Sequence, residues 1–200
     1  MHYRRKCSFA LPCATRRLKI QEEPVLTTKI IDVLHKEDIN IKNEPFPLWG
    51  RMVPSYDGQN WSCSVREFPP EKRGEMCFPD ENYDFDEMSR NSVFVGAYDG
   101  AQCVGLAVLQ DGFFKYMYLY DLKVCAARRG QGVATALMER AKAVAAERGY
   151  RGLYTIGQDN NLSACQFYLK SGFRIGGLDT EVYKGTKQEG KADILFYLDA

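Results

Sequence analysis

The stretch "YMYLYDLKVCAARRGQGVATALMERAKAVAAERG", residues 116–149, changes periodicity across a pair of glycines. Up to Val124 it is rich in tyrosine and branched residues, as a strand is. From Val133 its apolar residues fall at Val133, Leu137, Ala141 and Val144, one face of a helix, with Glu139, Arg140, Lys142 and Glu147 elsewhere. Glycine at a helix entry loses more backbone freedom on folding than any other residue. Its placement at 130 and 132 makes sense if something must approach the backbone at the helix's first turn. That turn leaves N–H groups unpaired and carries the positive end of the helix dipole. Gly130 and Gly132 remove side chains, Ala134 keeps the next turn narrow, and Arg128 and Arg129 add positive charge. The pattern predicts a phosphate ligand, specifically a pyrophosphate.

The neighbouring chain predicts the frame that holds this loop. Val93–Tyr98 and Cys103–Leu109 flank Asp99-Gly100, a tight-turn dipeptide, and read as a hairpin. "KYMYLYDLKVC" is a third strand. After it come a helix over Val133–Arg148, a strand "GLYTIG", a helix over Leu162–Ser171 and a terminal strand "ADILFYL". Strands first, then alternating strand and helix, predict an α/β (α+β) fold with a mixed, mostly antiparallel sheet flanked by helices. Upstream, "TKIIDVLHKEDIN" is expected to form a first strand. Residues 45–79, where prolines and aromatics interleave, are expected to be short helical turns and loops over a substrate-sized surface. Residues 1–28 are expected to be an irregular or disordered leader, and residues 29–200 a single domain.

Charge and cysteine usage narrow the classes of function. The chain holds 27 Lys/Arg and 26 Asp/Glu, but residues 1–30 take seven of the former and two of the latter, so the remainder carries about four negative charges. That argues against a nucleic-acid binder. Seven scattered cysteines without a Cys-x-x-Cys pair, and only two histidines, argue against a zinc site, and no metal is expected. No apolar run reaches the roughly 18 residues of a membrane span, and "CSFALPCA" is too short and too closely followed by arginines for a signal peptide. A cytoplasmic protein, monomeric or homodimeric and without a membrane partner, is expected.

Two motifs together point to a family. The P-loop pattern G-x-x-x-x-G-K-[ST] is absent, and the dinucleotide fingerprint G-x-G-x-x-G fails at Thr135. What fits is R-x-x-G-x-A, Arg129 to Ala134, which resembles the acetyl-coenzyme-A loop of the GNAT N-acetyltransferase superfamily. About 30 residues on, "NNLSACQFYLKSGF" resembles that family's later motif through Asn161, Ala164, Phe167, Tyr168, Gly172 and Phe173. "GQDNNLSACQFYLKSGFRIGGLDTEVY", with "PLWGRMVPSYDGQNWS" and the acidic residues Asp80, Glu81, Asp84, Asp86 and Glu87, is similar to the streptothricin acetyltransferases of that superfamily. The chain departs from them at Tyr120 and Ile156, where those relatives carry glutamates.

The resemblance implies an acetyl-CoA-dependent N-acetyltransferase acting on a small cationic amine, a streptothricin-type antibiotic first among them. The alternatives are a protein or peptide acetyltransferase and a non-catalytic acetyl-CoA binder. The resemblance further implies that Arg129, Gly130, Gln131, Gly132, Val133 and Ala134 hold the pyrophosphate, and that Leu122 and Val124 offer backbone groups to the pantetheine amides as their strand splays from the next. Asn161 either bonds the pantetheine arm or caps its own helix. Tyr168 is implied as the proton donor to the departing thiolate, otherwise as a core aromatic. An alkylamine is mostly protonated at pH 7, and stripping its proton costs about 4–5 kcal/mol, so a base helps. Asp121, the only carboxylate on the central strand, is expected to be that base or an anchor for the amine, with a structural role as the other reading. Tyr56, Trp61, Tyr118 and Tyr154 are expected to line an aromatic, cation-binding cleft.

Overall fold

A computed structural model describes residues 26–112 and 114–200. The chain begins with strand β1 (Leu26–Ile30), then passes through 3₁₀ turns over Val33–Asn40. Short strands β2 (Phe46–Leu48), β3 (Gly50–Tyr56), β4 (Trp61–Glu67) and β5 (Gly74–Met76) follow, then a single-turn helix α1 (Phe85–Met88). The central hairpin is β6 (Ser92–Asp99) and β7 (Gln102–Gln110), leading to β8 (Tyr116–Val124) and helix α2 (Val133–Glu147). The last elements are β9 (Gly152–Gln158), α3 (Leu162–Lys170), β10 (Arg174–Asp179) and β11 (Asp193–Asp199).

Seven strands form one sheet in the order β1-β6-β7-β8-β9-β11-β10, antiparallel at every pairing except β8–β9, which is parallel. The expected mixed, mostly antiparallel sheet is therefore present. Parallel pairing needs a crossover, and α2 supplies it. Val133, Leu137, Met138, Ala141, Val144 and Ala145 of α2 are buried against one sheet face. Each full burial of a larger apolar side chain contributes about 1.5–3 kcal/mol. Gly105 of β7 lets this helix sit close, since a β-carbon there would stand 2.8 Å from Val133. The opposite face is covered over β6 and β7 by Ile31, Ile39 and Ile41 and by Tyr83, Phe85 and Met88.

Four expectations are corrected. The first strand ends at Ile30, because the Asp32 carboxylate accepts the Leu34 N–H at 3.0 Å and starts 3₁₀ turns over the residues expected to continue the strand. It also starts at Leu26, inside the expected leader, because Leu26, Thr27 and Thr28 pair with Asp99, Tyr98 and Ala97; the rest of that leader, residues 1–25, lies outside the described residues. The proline-rich segment contains strands: β3 and β4 pair in register from Gly50↔Glu67 to Tyr56↔Trp61, and β2 pairs with β5. Prolines 47 and 54 are tolerated there because both ladders are two-stranded, so each strand keeps an open edge where a missing N–H costs no ladder bond. Finally, "RIGGLD" forms β10, whose two glycines hid it. Gly176 stands at a bulge where a β-carbon would lie 2.4 Å from the Tyr197 ring. No described helix is long and apolar enough to cross a membrane.

Candidate active site

The site begins where two strands stop pairing. β8 and β9 are in register only over Tyr116↔Gly152, Met117↔Leu153 and Tyr118↔Tyr154. Beyond that point the strands part, and their facing backbone groups have no ladder partner. The crotch of the fork is closed by Thr155, whose hydroxyl donates to the Leu119 carbonyl at 2.8 Å. Opposite, the β7–β8 register slips between Val108↔Asp121 and Leu109↔Leu119, so Tyr120 is an unpaired, bulged residue. The bulge turns Tyr120 and Asp121 toward the same region. The fork opens into a cleft of about 630 Å³, within the range of small-molecule sites. It runs from Tyr120, Asp121 and Ile156 to the α2 entry.

At that entry Gly130 and Gly132 take φ of 72° and 82°, left-handed conformations that favour glycine, and a β-carbon on either would meet nothing within 4 Å. Gly132 is the N-cap of α2 and no side chain caps it, so the first-turn donors stay available. Gly130, Gly132, Val133 and Ala134 all line the cleft, with the Val133 side chain turned into the core. The two arginines line the cleft and are also tied to neighbouring parts of the chain. Arg128 pairs with Asp99 at 3.0 Å. Arg129 donates to the carbonyls of Val124 (3.1 Å) and Pro45 (2.7 Å) and stands 3.6 Å from the Glu44 carboxylate. Gln131 donates to the Ala127 carbonyl at 2.9 Å and does not line the cleft. These contacts brace the loop, and its backbone donors border the cleft together with Arg128 and Arg129.

Along the cleft, Leu122 and Val124 lie on β8 as expected, although the Val124 carbonyl is occupied by Arg129. The Asn161 side-chain oxygen accepts the Ala164 N–H at 3.4 Å and caps α3, and the residue also lines the cleft. Tyr168 lies on α3, with its ring packed among Phe167, Phe173 and Phe196 and its hydroxyl facing Thr155. Burial pushes its pKa well above the usual phenol value, so it keeps its proton at neutral pH.

Asp121 sits in a cluster only partly legible in the sequence. Its Oδ2 accepts from the Tyr83 hydroxyl at 3.0 Å and lies 3.3 Å from the Lys123 ammonium, which also pairs with Glu81. Burial raises the Asp121 pKa and nearby Glu81 adds to the rise, while Lys123 and Tyr83 oppose it. Tyr83 and Lys123 were not expected at the site, and Glu81 was expected only as one of the acidic residues of 80–87. Lys123 did carry a signal, since it stands at i+2 from Asp121 and must share its face. The pairing with Glu81 and Tyr83 crosses about 40 positions and carried none.

The expected aromatic residues divide. Tyr118 and Tyr154 stack at 4.6 Å just behind the fork, and Tyr118 meets Tyr120 edge-on at 5.7 Å. Tyr56 and Trp61 pack on each other at 5.0 Å at the end of the β3–β4 hairpin. None of these four lines the cleft; Tyr120 does. The acidic run also splits: Asp84 caps α1, Asp80 accepts the Asn43 N–H at 2.7 Å, and Glu81 enters the cleft. Among the described residues no group of three or more His, Cys, Asp or Glu is placed to hold a metal ion.

Comparison with known proteins agrees with this geometry. Residues 60–173 match the model of the acetyltransferase (GNAT) family. Streptothricin acetyltransferase A of Bacillus subtilis is 30% identical over 164 residues, 82% of this chain and 94% of that protein. A Bacillus anthracis protein assigned as a streptothricin acetyltransferase, solved in complex with acetyl coenzyme A, superposes with a TM-score of 0.78 at 26% identity, over 88% of this chain and all of that one. Nourseothricin acetyltransferase superposes with a TM-score of 0.69 at 25% identity, over 87% and 98% of the two chains. The family model spans more than half of the sequence and includes both the glycine loop and the Tyr168 helix, and the chain belongs to the acetyltransferase (GNAT) family of N-acetyltransferases.

Proposed function

We propose that this N-acetyltransferase uses the β8–β9 fork to bring acetyl-CoA to an amine of a small cationic acceptor, a streptothricin-type antibiotic. The observation that carries the reading is the fork itself: two unpaired strand edges lead from an uncapped helix entry with left-handed glycines to a buried tyrosine. These groups fit the ligand. The backbone donors at 130–134 suit a pyrophosphate, the free edge at Leu122 and the N–H of Val124, whose carbonyl is taken by Arg129, suit the amides of the pantetheine arm, and Asn161 borders the same channel. The similarity to streptothricin and nourseothricin acetyltransferases supports the acceptor class.

Bound acetyl-CoA supplies an activated acyl group as a thioester. The chain's own residues supply the rest. Asp121, whose carboxyl pKa is raised by burial, holds the acceptor ammonium and receives its proton. The Tyr168 hydroxyl stays protonated and donates a hydrogen bond at the sulfur position, stabilising the negative charge that develops there as the carbon–sulfur bond breaks; the coenzyme A leaves as the thiolate and takes its proton from solvent. The bulge at Tyr120 directs Asp121 into the cleft, and the ring of Tyr120, 44% exposed, offers a face to a cation.

A panel of amines, with release of the coenzyme A thiol as readout, tests this. Streptothricin and other small polycationic amines should be turned over and neutral or anionic amines should not. Turnover confined to peptide N-termini or protein lysines would refute the acceptor class.

A further inference from the structure

We propose that Lys123 and Glu81 set the charge of the acceptor end of the cleft: Lys123 neutralises one of the two carboxylates, so that the site admits one acceptor ammonium. This rests on the cationic-acceptor reading above and names the residues that would give it specificity.

Lys123 is the deepest member of the cluster, with its side chain 8% exposed against 18% for Asp121 and 29% for Glu81. Its ammonium meets both carboxylates, lies 3.4 Å from the Ile41 carbonyl and sits 5.4 Å from the centre of the Tyr83 ring. These are the surroundings an acceptor ammonium would itself require, met from below by the chain's own lysine. All three charged residues line the cleft. With Lys123 charged and both carboxylates ionised, the cluster carries one net negative charge. A buried or half-buried charge left unpaired is costly, so one further cation is favoured and a second is not. Among the described residues, the Tyr83 and Lys123 contacts of Asp121 both fall on Oδ2, which leaves Oδ1 for an incoming donor. Glu81 is fixed by the Asn43 amide at 3.0 and 3.1 Å. It therefore brings a carboxylate into a cleft whose strand positions 120 and 156 hold Tyr and Ile.

The test is a charge series. Glu81→Gln makes the cluster neutral, and the Michaelis constant for the acceptor should rise about tenfold or more, with that for acetyl-CoA unchanged. Lys123→Met doubles the negative charge. It should lower the acceptor constant and move the acid limb of kcat/KM to higher pH, because Lys123 is the cation that holds the Asp121 pKa down, while Glu81, Tyr83, Tyr118 and Tyr168, which also act on it, carry no positive charge. The acceptor's own amine titration is common to every variant and cancels in the comparison. The double variant Glu81→Gln/Lys123→Met restores one net negative charge and should return the acceptor constant toward wild type. A merely structural pair would instead give a double variant at least as impaired as the worse single one, and that result, or an acceptor constant indifferent to Glu81→Gln, overturns the proposal. The series is read on streptothricin and on spermidine in parallel. Turnover of spermidine alone refutes the antibiotic as acceptor while the series still decides the charge rule. Turnover of neither refutes both.

Discussion

Tyr168 shows how burial can fit a side chain to one task and unfit it for another. Its high pKa makes it a poor source of free protons but a reliable hydrogen-bond donor at neutral pH. Tyr168→Phe keeps the ring among Phe167, Phe173 and Phe196 and removes only the donor. Turnover should fall about 10²-fold, as typical acid–base contributions do, with the Michaelis constant for acetyl-CoA unchanged in steady-state assays. An unaltered single-turnover rate would make Tyr168 a packing residue. Asp121→Asn should lower turnover as well as raise the acceptor constant, because the amide keeps the shape and loses both the charge and the base. The motif residues were readable because each stands at a fixed offset from a glycine. Glu81 and Tyr83 were not, since their role exists only once a loop about 40 positions away folds over β8. The contacts that brace the arginines were hidden for a similar reason: their partners, Asp99, Glu44 and Pro45, are far away in sequence.

Among the elements, the glycine loop is the one whose conformation and function can be separated by experiment. Gly132 has φ of 82° but open space at its β-carbon position, so the protein itself resists a side chain only through backbone strain. Gly132→Ala should cost about 1–2 kcal/mol, the penalty of a left-handed residue, seen as a modestly lowered melting temperature. Gly132→Asp should fold nearly as well, because aspartate tolerates that region better, and should still abolish acetyl-CoA binding in calorimetry by placing negative charge against a pyrophosphate. Wild-type affinity in that variant would move the phosphate site elsewhere. Elements with strong periodicity, β6 to β9 with α2 and α3, were legible within a residue or two. β10 and the β3–β4 pair were not, because glycine and proline at edge positions imitate loop composition even when a ladder forms. The "DG" at 57–58, with the Asp57 carboxylate accepting from Gln59 and Asn60, was the overlooked turn signal.

For the whole molecule, the roughly four negative charges beyond residue 30 bear on association more than on chemistry. Asp86 and Glu87 are exposed and make no ion pair among the described residues, whereas Asp84 caps α1 and Glu81 lines the cleft. Neutralising Asp86 and Glu87 together should raise the acceptor's Michaelis constant modestly and flatten its salt dependence, since exposed charges are screened over about 10 Å at 0.1 M. Identical salt profiles for variant and wild type would make this pair a solvated surface. The broad architecture, a mixed sheet entered by a hairpin and crossed by α2, followed from element order alone. The fork was expected only through the family resemblance, because a parting of two strands leaves no mark in either one's pattern.

The account stands most directly on where acetyl-CoA binds, and a crystal structure of the complex measures that. It predicts the pyrophosphate on the backbone N–H groups of residues 130–134, the pantetheine arm between β8 and β9 against Leu122 and Val124, and the sulfur facing the Tyr168 hydroxyl. A complex with the pyrophosphate away from the α2 entry, or with the fork closed and Tyr168 remote from the sulfur, would contradict it.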